Sequence, residues 1–317
     1  MDRTAPQSPP LPSWRRWLVA ARPWSWPAST MPVAFGTALA VVIGGAHFSA
    51  LRFLWAIATM VALHSAANML SDVFDFRRGL DREATPVSGA VVRGLLSDRR
   101  VLAGAVVLFA VGGTSGLLIA LATGRELLVI GGLGLAVGAG YTLLKASALG
   151  DLAVFLDFGL LGSAGAWMVQ ARAFSWVPLV WALPMAMLVV AILQANNWRD
   201  ASSDGAHGVR TVARLVGDRG SLIYYGVLVF GGFVIDPLFI AVPRLAGGPL
   251  RPMPWTFFLV FLALPGALEL WRRAVRRAAP RRPMDFVILD GATARHNLVF
   301  GLLSTAAVLL EGLLRWR

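Results

Sequence analysis

The chain has no cysteine among its 317 residues, and Lys145 is its single lysine. Without thiols it can form no disulfide, thiolate nucleophile, Cys-ligated zinc site or iron–sulfur cluster. Charge is scarce as well. Asp, Glu, Lys and Arg make up 15% of the residues, against about 25% in an ordinary soluble domain. That leaves too little polar surface to cover a water-soluble enzyme of this size. A chain disordered throughout is also excluded, because disorder needs low hydrophobicity and 57% of these residues are hydrophobic.

What the chain has in quantity is apolar length. Its mean hydropathy is +0.67, and the apolar residues fall in runs of about 20, the length that spans a bilayer as a helix. Nine candidate spans can be marked, at 27–46, 52–76, 100–122, 127–144, 149–170, 176–198, 220–242, 254–272 and 291–314. The fold class expected is all-α: a polytopic membrane protein with nine transmembrane helices. Residues 1–13 (MDRTAPQSPPLPS) are polar and rich in proline. They read as a disordered tail without a cleavable signal peptide, ahead of a single membrane domain at 14–317. The stretch from Trp14 to Trp26 mixes Trp with Arg, which fits a short helix at the headgroup level. Runs of Gly and Ala at 111–117 and 130–140 are expected to let helices pack closely.

Lys and Arg total 29 against 17 Asp and Glu, a net charge of +12. In a soluble chain this balance would point to nucleic acid. Here the cations lie between apolar runs, where they fix topology, and no nucleic-acid partner is implied. Arg77, Arg78, Arg82, Arg93, Arg99 and Arg100 follow the second span, and a cluster from Arg272 to Arg282 follows the eighth. The positive-inside rule then places the N-terminus and the loops after spans two, four, six and eight in the cytoplasm, and the C-terminus on the far side.

Two of those loops are acidic as well as basic: NMLSDVFDFRRGLDR (68–82) and NNWRDASSDGAHGVRT (196–211). Each has an Asn, an Asp four residues on, a further Asp within about one turn and then a Gly. They end the second and the sixth span, the pattern of a four-helix repeat made twice with one helix added. Residues three or four apart share a helix face, so His64, Asn68, Asp72 and Asp75 form one stripe and Asn196, Asp200 and Asp204 another. Facing carboxylates repel unless cations lie between them. Oxygen-only ligands suit a hard ion, Mg²⁺ first, which completes its shell with water and substrate phosphate. Lone carboxylates at span ends, solvated and paired with the nearby Arg, are the plainer alternative, and the duplication weighs against it. Lys145, in a third loop on the same side after Tyr141, can hold a phosphate as a point charge, and Arg22 can point toward the same place. Asp157 lies mid-span in AVFLDFGLLG, where an unpaired charge costs at least about 2.5 kcal/mol. It is expected to face the bundle interior in a packing hydrogen bond, and His64 to be a satisfied polar residue beneath the acidic cluster.

These motifs resemble the UbiA superfamily of intramembrane prenyltransferases, and within it the 1,4-dihydroxy-2-naphthoate polyprenyltransferases of menaquinone synthesis. The resemblance covers most of the chain. It rests on ARPWSWPASTMPVAFGTALA (21–40), on Asn68-x3-Asp72-x2-Asp75-x3-Gly79-x-Asp81 followed by SGAVVRGLLS (88–97), on YTLLK and LGDLAVFLDFG within 141–159, and on NNWRDASSDGAHGVRTVARLVG (196–217). It implies a bundle of nine helices, in two four-helix repeats plus one, around a cavity open to the cytoplasmic side and to lipid. It further implies one Mg²⁺ on Asn68, Asp72 and Asp75, a second on Asn196, Asp200 and Asp204, and an allylic polyprenyl diphosphate as donor. Lys145 and Tyr141 match loop residues that meet the diphosphate. Arg22, Arg199 and Asp81 are further substrate-side positions. Asp72, Asp75, Asp200, Asp204 and Lys145 would carry the catalysis, with an aromatic small molecule as acceptor, the bilayer as surroundings, no protein partner, and a bacterial plasma membrane as location. Two positions depart from the pattern. Ser71 stands where the naphthoate branch usually has Asn, and Asp157 where it has an apolar residue.

Other readings stay open at this level. The acceptor could be 4-hydroxybenzoate, homogentisate or a glyceryl ether, or the enzyme a cyclase. A secondary transporter also has internal repeats and intramembrane carboxylates, though its site would lie near the bilayer midplane and not at span ends.

Overall fold

The computed structural model describes residues 11–79, 89–201, 209–246, 251–278 and 286–315. Its elements in chain order are α1 Ser13–Ala21, α2 Pro27–Val42, α3 Ala50–Arg77, α4 Asp98–Thr123, α5 Arg125–Ala146, α6 Gly150–Ala171, α7 Val177–Trp181, α8 Leu183–Arg199, α9 Val212–Ala246, α10 Leu264–Val275 and α11 Leu289–Arg315. A 3₁₀ segment, Trp255–Ala263, leads into α10. No strand occurs among the described residues; one isolated bridge joins Ser147 to Arg210.

Helix starts follow local chemistry. Ser49 and Ser97 sit just before α3 and α4, and each hydroxyl accepts a backbone N–H three residues on, at 3.4 Å, which satisfies an otherwise orphaned donor. Inside α9 the helix breaks at Gly217, whose φ of 68° is open to glycine at little cost. Within α6 a π-helical stretch, Phe155–Leu161, holds one residue too many for a regular turn.

Among the described residues five helices, α3, α4, α6, α9 and α11, are long and apolar enough to cross a membrane. Large apolar side chains cover the outside: Leu245 is 86% exposed, Leu51 75% and Leu262 69%. A water-soluble monomer does not present so much apolar surface. This is a multi-pass, all-helical membrane protein. Its α3 has 28 residues, roughly 42 Å at 1.5 Å per residue, against about 30 Å of hydrocarbon. One end of α3 must therefore reach the polar interface, and the end that carries Asn68 to Arg77 is the polar one.

In the interior, α2 packs on α6 and α11, and α8 packs on α9 and α11. Phe35, Trp181 and Phe257 meet edge to face at 5.8–6.1 Å. Close approach depends on missing side chains. A Cβ on Gly36 of α2 would run into the backbone carbonyl of Ser163 of α6, and one on Gly159 would run into Ala186 of α8. Gly112 likewise lies against Leu63, as expected for 111–117. The glycines of 130–140 differ. A Cβ on Gly131, Gly132 or Gly140 would meet nothing within 4 Å, so these positions on α5 face open space and not a packed neighbour.

At Gly36 the obstacle is backbone, which cannot swing aside. Gly36→Val is expected to destabilise the bundle by at least the about 1–3 kcal/mol typical of overpacking, seen as a lower melting temperature in detergent. Gly140→Ala, with open space around it, is expected to leave that temperature unchanged or slightly higher.

Candidate active site

Three helix ends meet where the acidic motifs lie: the C-terminal ends of α3, α5 and α8. The N-terminal end of α11 and the α1–α2 linker close the ring. The turn after α5 and the strand of chain before α9 are tied together, Ala148 N–H donating to the Arg210 carbonyl at 2.7 Å and Arg210 N–H to the Ala146 carbonyl at 3.1 Å. Between these ends is a cavity of about 300 Å³. Of the residues singled out from the sequence, Arg22, Asn68, Asp75, Tyr141, Lys145, Asn196, Arg199 and Asp200 line it. Asp81 and Asp204 lie outside the described residues.

On α3 the facing stripe differs from the one expected. At about 100° per residue, Asn68, Ser71 and Asp75 stay within about 40° of His64, while Asp72 is turned about 80° away. The cavity is accordingly lined by His64, Asn68, Ser71 and Asp75, and Asp72 stands behind its wall, 1% exposed. One oxygen of Asp72 accepts the Val91 N–H at 3.1 Å, and the other is 3.9 Å from Arg22 Nη2. Gly89 leaves room for this carboxylate, since any Cβ there would overlap it. In this geometry Asp72 anchors the chain ahead of α4 and stands beside Arg22. Ser71, the departure from the family pattern, takes its place on the cavity side and donates to Asp75 at 3.3 Å.

Each wall residue has a reason for its position. Pro23 disfavours the right-handed region for the residue before it, and Arg22 ends α1 with φ at 52°. Asn68 donates to Ser25 Oγ at 3.0 Å. His64 is satisfied on both ring nitrogens, by Ser29 Oγ at 2.9 Å and Ser25 Oγ at 3.3 Å. Lys145, in the last turn of α5, lies 3.5 Å from Asp75. Arg199 grips both oxygens of Asp200 at 2.8 and 2.9 Å and reaches across to Asp290 at 2.9 Å. Its guanidinium is thus shared between two carboxylates.

Asp290, at the start of α11, lines the cavity and was not singled out from the sequence. A lone acid opening the last span, on the side of both acidic motifs, was the available signal. The cavity-facing donors of the two motifs, Asn68, Asp75, Asn196 and Asp200, are all oxygens, the set a hard cation requires. No group of three His, Cys, Asp or Glu side chains stands at metal-holding distances among the described residues; the carboxylates instead face Lys145 and Arg199.

A second cavity, about 570 Å³ and lined mainly by apolar residues of α3, α4, α5 and α6, adjoins the first. Ala67, Gly138, Asp157 and Phe158 belong to both walls. Asp157 faces the interior, but the packing hydrogen bond expected for it does not occur among the described residues.

The profile of the UbiA prenyltransferase family matches residues 29–308. The chain belongs to that family, and it is a prenyltransferase; the transporter reading falls. Similar proteins include UbiA prenyltransferase domain-containing protein 1 of Homo sapiens, 30% identical over 98% of this chain and 90% of that one. The Mus musculus protein of the same name is 31% identical over 96% and 89%. The Drosophila melanogaster homolog is 31% identical over 92% and 79%. Among solved structures, a UbiA homolog from Aeropyrum pernix K1 aligns with a TM-score of 0.63 at 18% identity, covering 90% of this chain and 97% of that one. A UbiA homolog from Archaeoglobus fulgidus bound to GPP and Mg²⁺ aligns at 0.58 and 14%, covering 92% and 99%. The structural likeness carries the fold. The three named relatives are animal proteins with a name different from the naphthoate branch, so they lend no support to that branch or to a bacterial membrane.

Because Arg199 joins α8 to α11, its loss removes the cation that Asp200 and Asp290 share. Arg199→Met is expected to lower stability by an amount approaching the about 3–5 kcal/mol of a fully buried broken pair, read from unfolding in detergent. The double variant Arg199→Met with Asp290→Asn is expected to recover part of that loss.

Proposed function

We propose that this UbiA-family enzyme transfers a polyprenyl group from an allylic polyprenyl diphosphate to 1,4-dihydroxy-2-naphthoate, giving demethylmenaquinol, the reduced form of demethylmenaquinone. The observation that carries this reading is the polar cavity where both acidic motifs and Lys145 meet, opening beside a larger apolar one. A diphosphate fits the first and a prenyl chain the second. The complex of the Archaeoglobus fulgidus homolog with GPP and Mg²⁺ supports a diphosphate donor and a divalent cation. The naphthoate acceptor rests on the second motif, NNWRDASSDGAHGVRT (196–211).

In this reading Asn68 and Asp75 would hold one Mg²⁺, and Asn196 and Asp200, with Asp204, would hold another. A metal bound there would supply Lewis-acid stabilisation of negative charge on the diphosphate. Lys145 and Arg22 neutralise charge that develops on the leaving diphosphate, an electrostatic effect worth most where water is excluded. Tyr141 orients the same group. Asp72 holds the wall behind Asp75, and Arg199 spaces Asp200 from Asp290. The allylic C–O bond breaks with its electron pair on the diphosphate. The apolar cavity shields the resulting cation from water, the electron-rich ring carbon attacks it, and loss of CO₂ restores the ring.

The architecture proposed with this function is one domain over 14–317 with nine membrane crossings. Beyond the five long apolar helices, α2, α5, the α7–α8 pair and the 3₁₀–α10 unit supply the other four. The cavity mouth faces the cytoplasm, where the arginines after α3 and α10 lie.

The test is a product assay on membranes given Mg²⁺, a long-chain prenyl diphosphate and either 1,4-dihydroxy-2-naphthoate or 4-hydroxybenzoate, read by mass spectrometry. Demethylmenaquinol that disappears with EDTA, read as the quinone once air has oxidised it, is the expected result. Asp75→Ala and Asp200→Ala are expected to abolish it, and Lys145→Met to lower turnover about 10²- to 10³-fold, the usual loss of one preorganised stabilising group. Product from 4-hydroxybenzoate alone would move the acceptor assignment. Full activity in either Asp variant would remove the site assignment.

A further inference from the structure

Asp157 is the one carboxylate in the wall shared by the two cavities. It lies on the π-helical stretch Phe155–Leu161 of α6, a distortion often found at functional sites. Opposite it, α5 presents Gly134 and Gly138, one turn apart. A Cβ on Gly134 would come within 2.8 Å of Asp157 Oδ1, and one on Gly138 within 3.7 Å of Oδ2. The two glycines therefore make the space that the carboxyl group occupies.

No hydrogen bond or ion pair to this side chain occurs among the described residues. The two cations on the same cavity wall nearest in function, Arg22 and Lys145, face Asp72 and Asp75. An acid in such a place is expensive unless a ligand completes it. Three chemical groups must enter these cavities during prenyl transfer. The diphosphate is an anion, which a carboxylate repels. The prenyl chain is apolar and offers no polar hydrogen. The hydroxylated ring alone brings an O–H donor, and its own carboxylate must then point away from Asp157.

We infer that Asp157 is the acceptor-recognition residue: its carboxylate accepts a hydrogen bond from a ring hydroxyl and seats the aromatic plane against the glycine face of α5. The inference deepens the proposed prenyl transfer and rests on it for the kind of ligand. Its place at the junction puts the ring between the polar end, where the diphosphate leaves, and the apolar cavity, where the chain lies. A charge-assisted O–H···O bond of this kind is stronger than a neutral one, and it raises electron density on the ring that attacks.

Binding and kinetics test it together. The probe is 1,4-dihydroxy-2-naphthoate, titrated calorimetrically into the purified protein in detergent without donor, with 4-hydroxybenzoate and the naphthoate's hydroxyl-methylated ethers alongside. Asp157→Asn and Asp157→Leu are compared with the unaltered protein. A loss of about 10- to 100-fold in acceptor affinity is expected, the usual worth of a hydrogen bond to a charged group. The KM of the prenyl diphosphate is expected to change less than about twofold, a split that a general structural fault would not produce. One of the methyl ethers should bind weakly to the unaltered protein, with that penalty gone in Asp157→Leu. Should Asp157→Leu fail to fold, Asp157→Asn, nearly identical in shape, carries the comparison. Equal affinity in the unaltered protein and Asp157→Asn overturns the inference, as does an equal rise in both KM values. Tight Asp157-dependent ring binding with no prenylated product would overturn the proposed reaction and leave the recognition role standing. No binding of either hydroxylated ring to the unaltered protein overturns the recognition role itself.

Discussion

Negative charge gathered at one end of a lipid-embedded bundle is the constraint on which the rest of the site depends. Asp72, Asp75, Asp200 and Asp290 come together there, and each lies near a cation: Arg22, Lys145 or Arg199. Removing carboxylates from bulk water is costly, and pairing recovers the cost only when geometry is good and other hydrogen bonds are met. The helix ends are arranged accordingly. The last turn of α5 delivers the sole lysine to Asp75, and Arg199 bridges the end of α8 to the start of α11. On the proposed function, a metal and an anionic diphosphate together would replace one set of ion pairs with another at little net change in charge.

A second division runs along the bundle axis. The polar cavity lies among helix ends, while the apolar one lies among α3, α4, α5 and α6. Their common wall is short and contains a single ionisable side chain, Asp157. Chemistry that separates a diphosphate from an allylic carbon needs this arrangement: an electrostatically dense region for the leaving group and a dry one for the electron-poor carbon. The glycines of α5 widen the dry region, because a Cβ at Gly131 or Gly132 would project into open space.

Much of this was readable from residues in order. Runs of apolar residues marked the helices, and the twofold occurrence of Asn and Asp at span ends marked the walls of the polar cavity. Where the reading slipped, the reason was angular or long-range. Asp72 and Asp75 both fit helical spacing from Asn68, yet a helix turns about 100° per residue. The phase set by His64 and Ser71 sends Asp72 out of the wall toward Val91. Asp290 lies about 90 positions from its partner Arg199, and sequence spacing carries no information about such a contact. The glycine-rich stretch of α5 has the composition of a packing face, and only its neighbours reveal that it lines a cavity.

The sequence by itself determined that this is a membrane-embedded helical protein of the UbiA type with oxygen-rich helix ends, because hydropathy, helix length and motif spacing are local properties. Tertiary structure alone decided which carboxylates face the cavity, which cations neutralise them, and that Asp157 stands at the junction without a partner among the described residues. Those outcomes depend on the rotation of each helix about its axis and on which helix packs beside it. Both are fixed by close contacts between distant residues, such as Gly36 with Ser163 and Arg199 with Asp290.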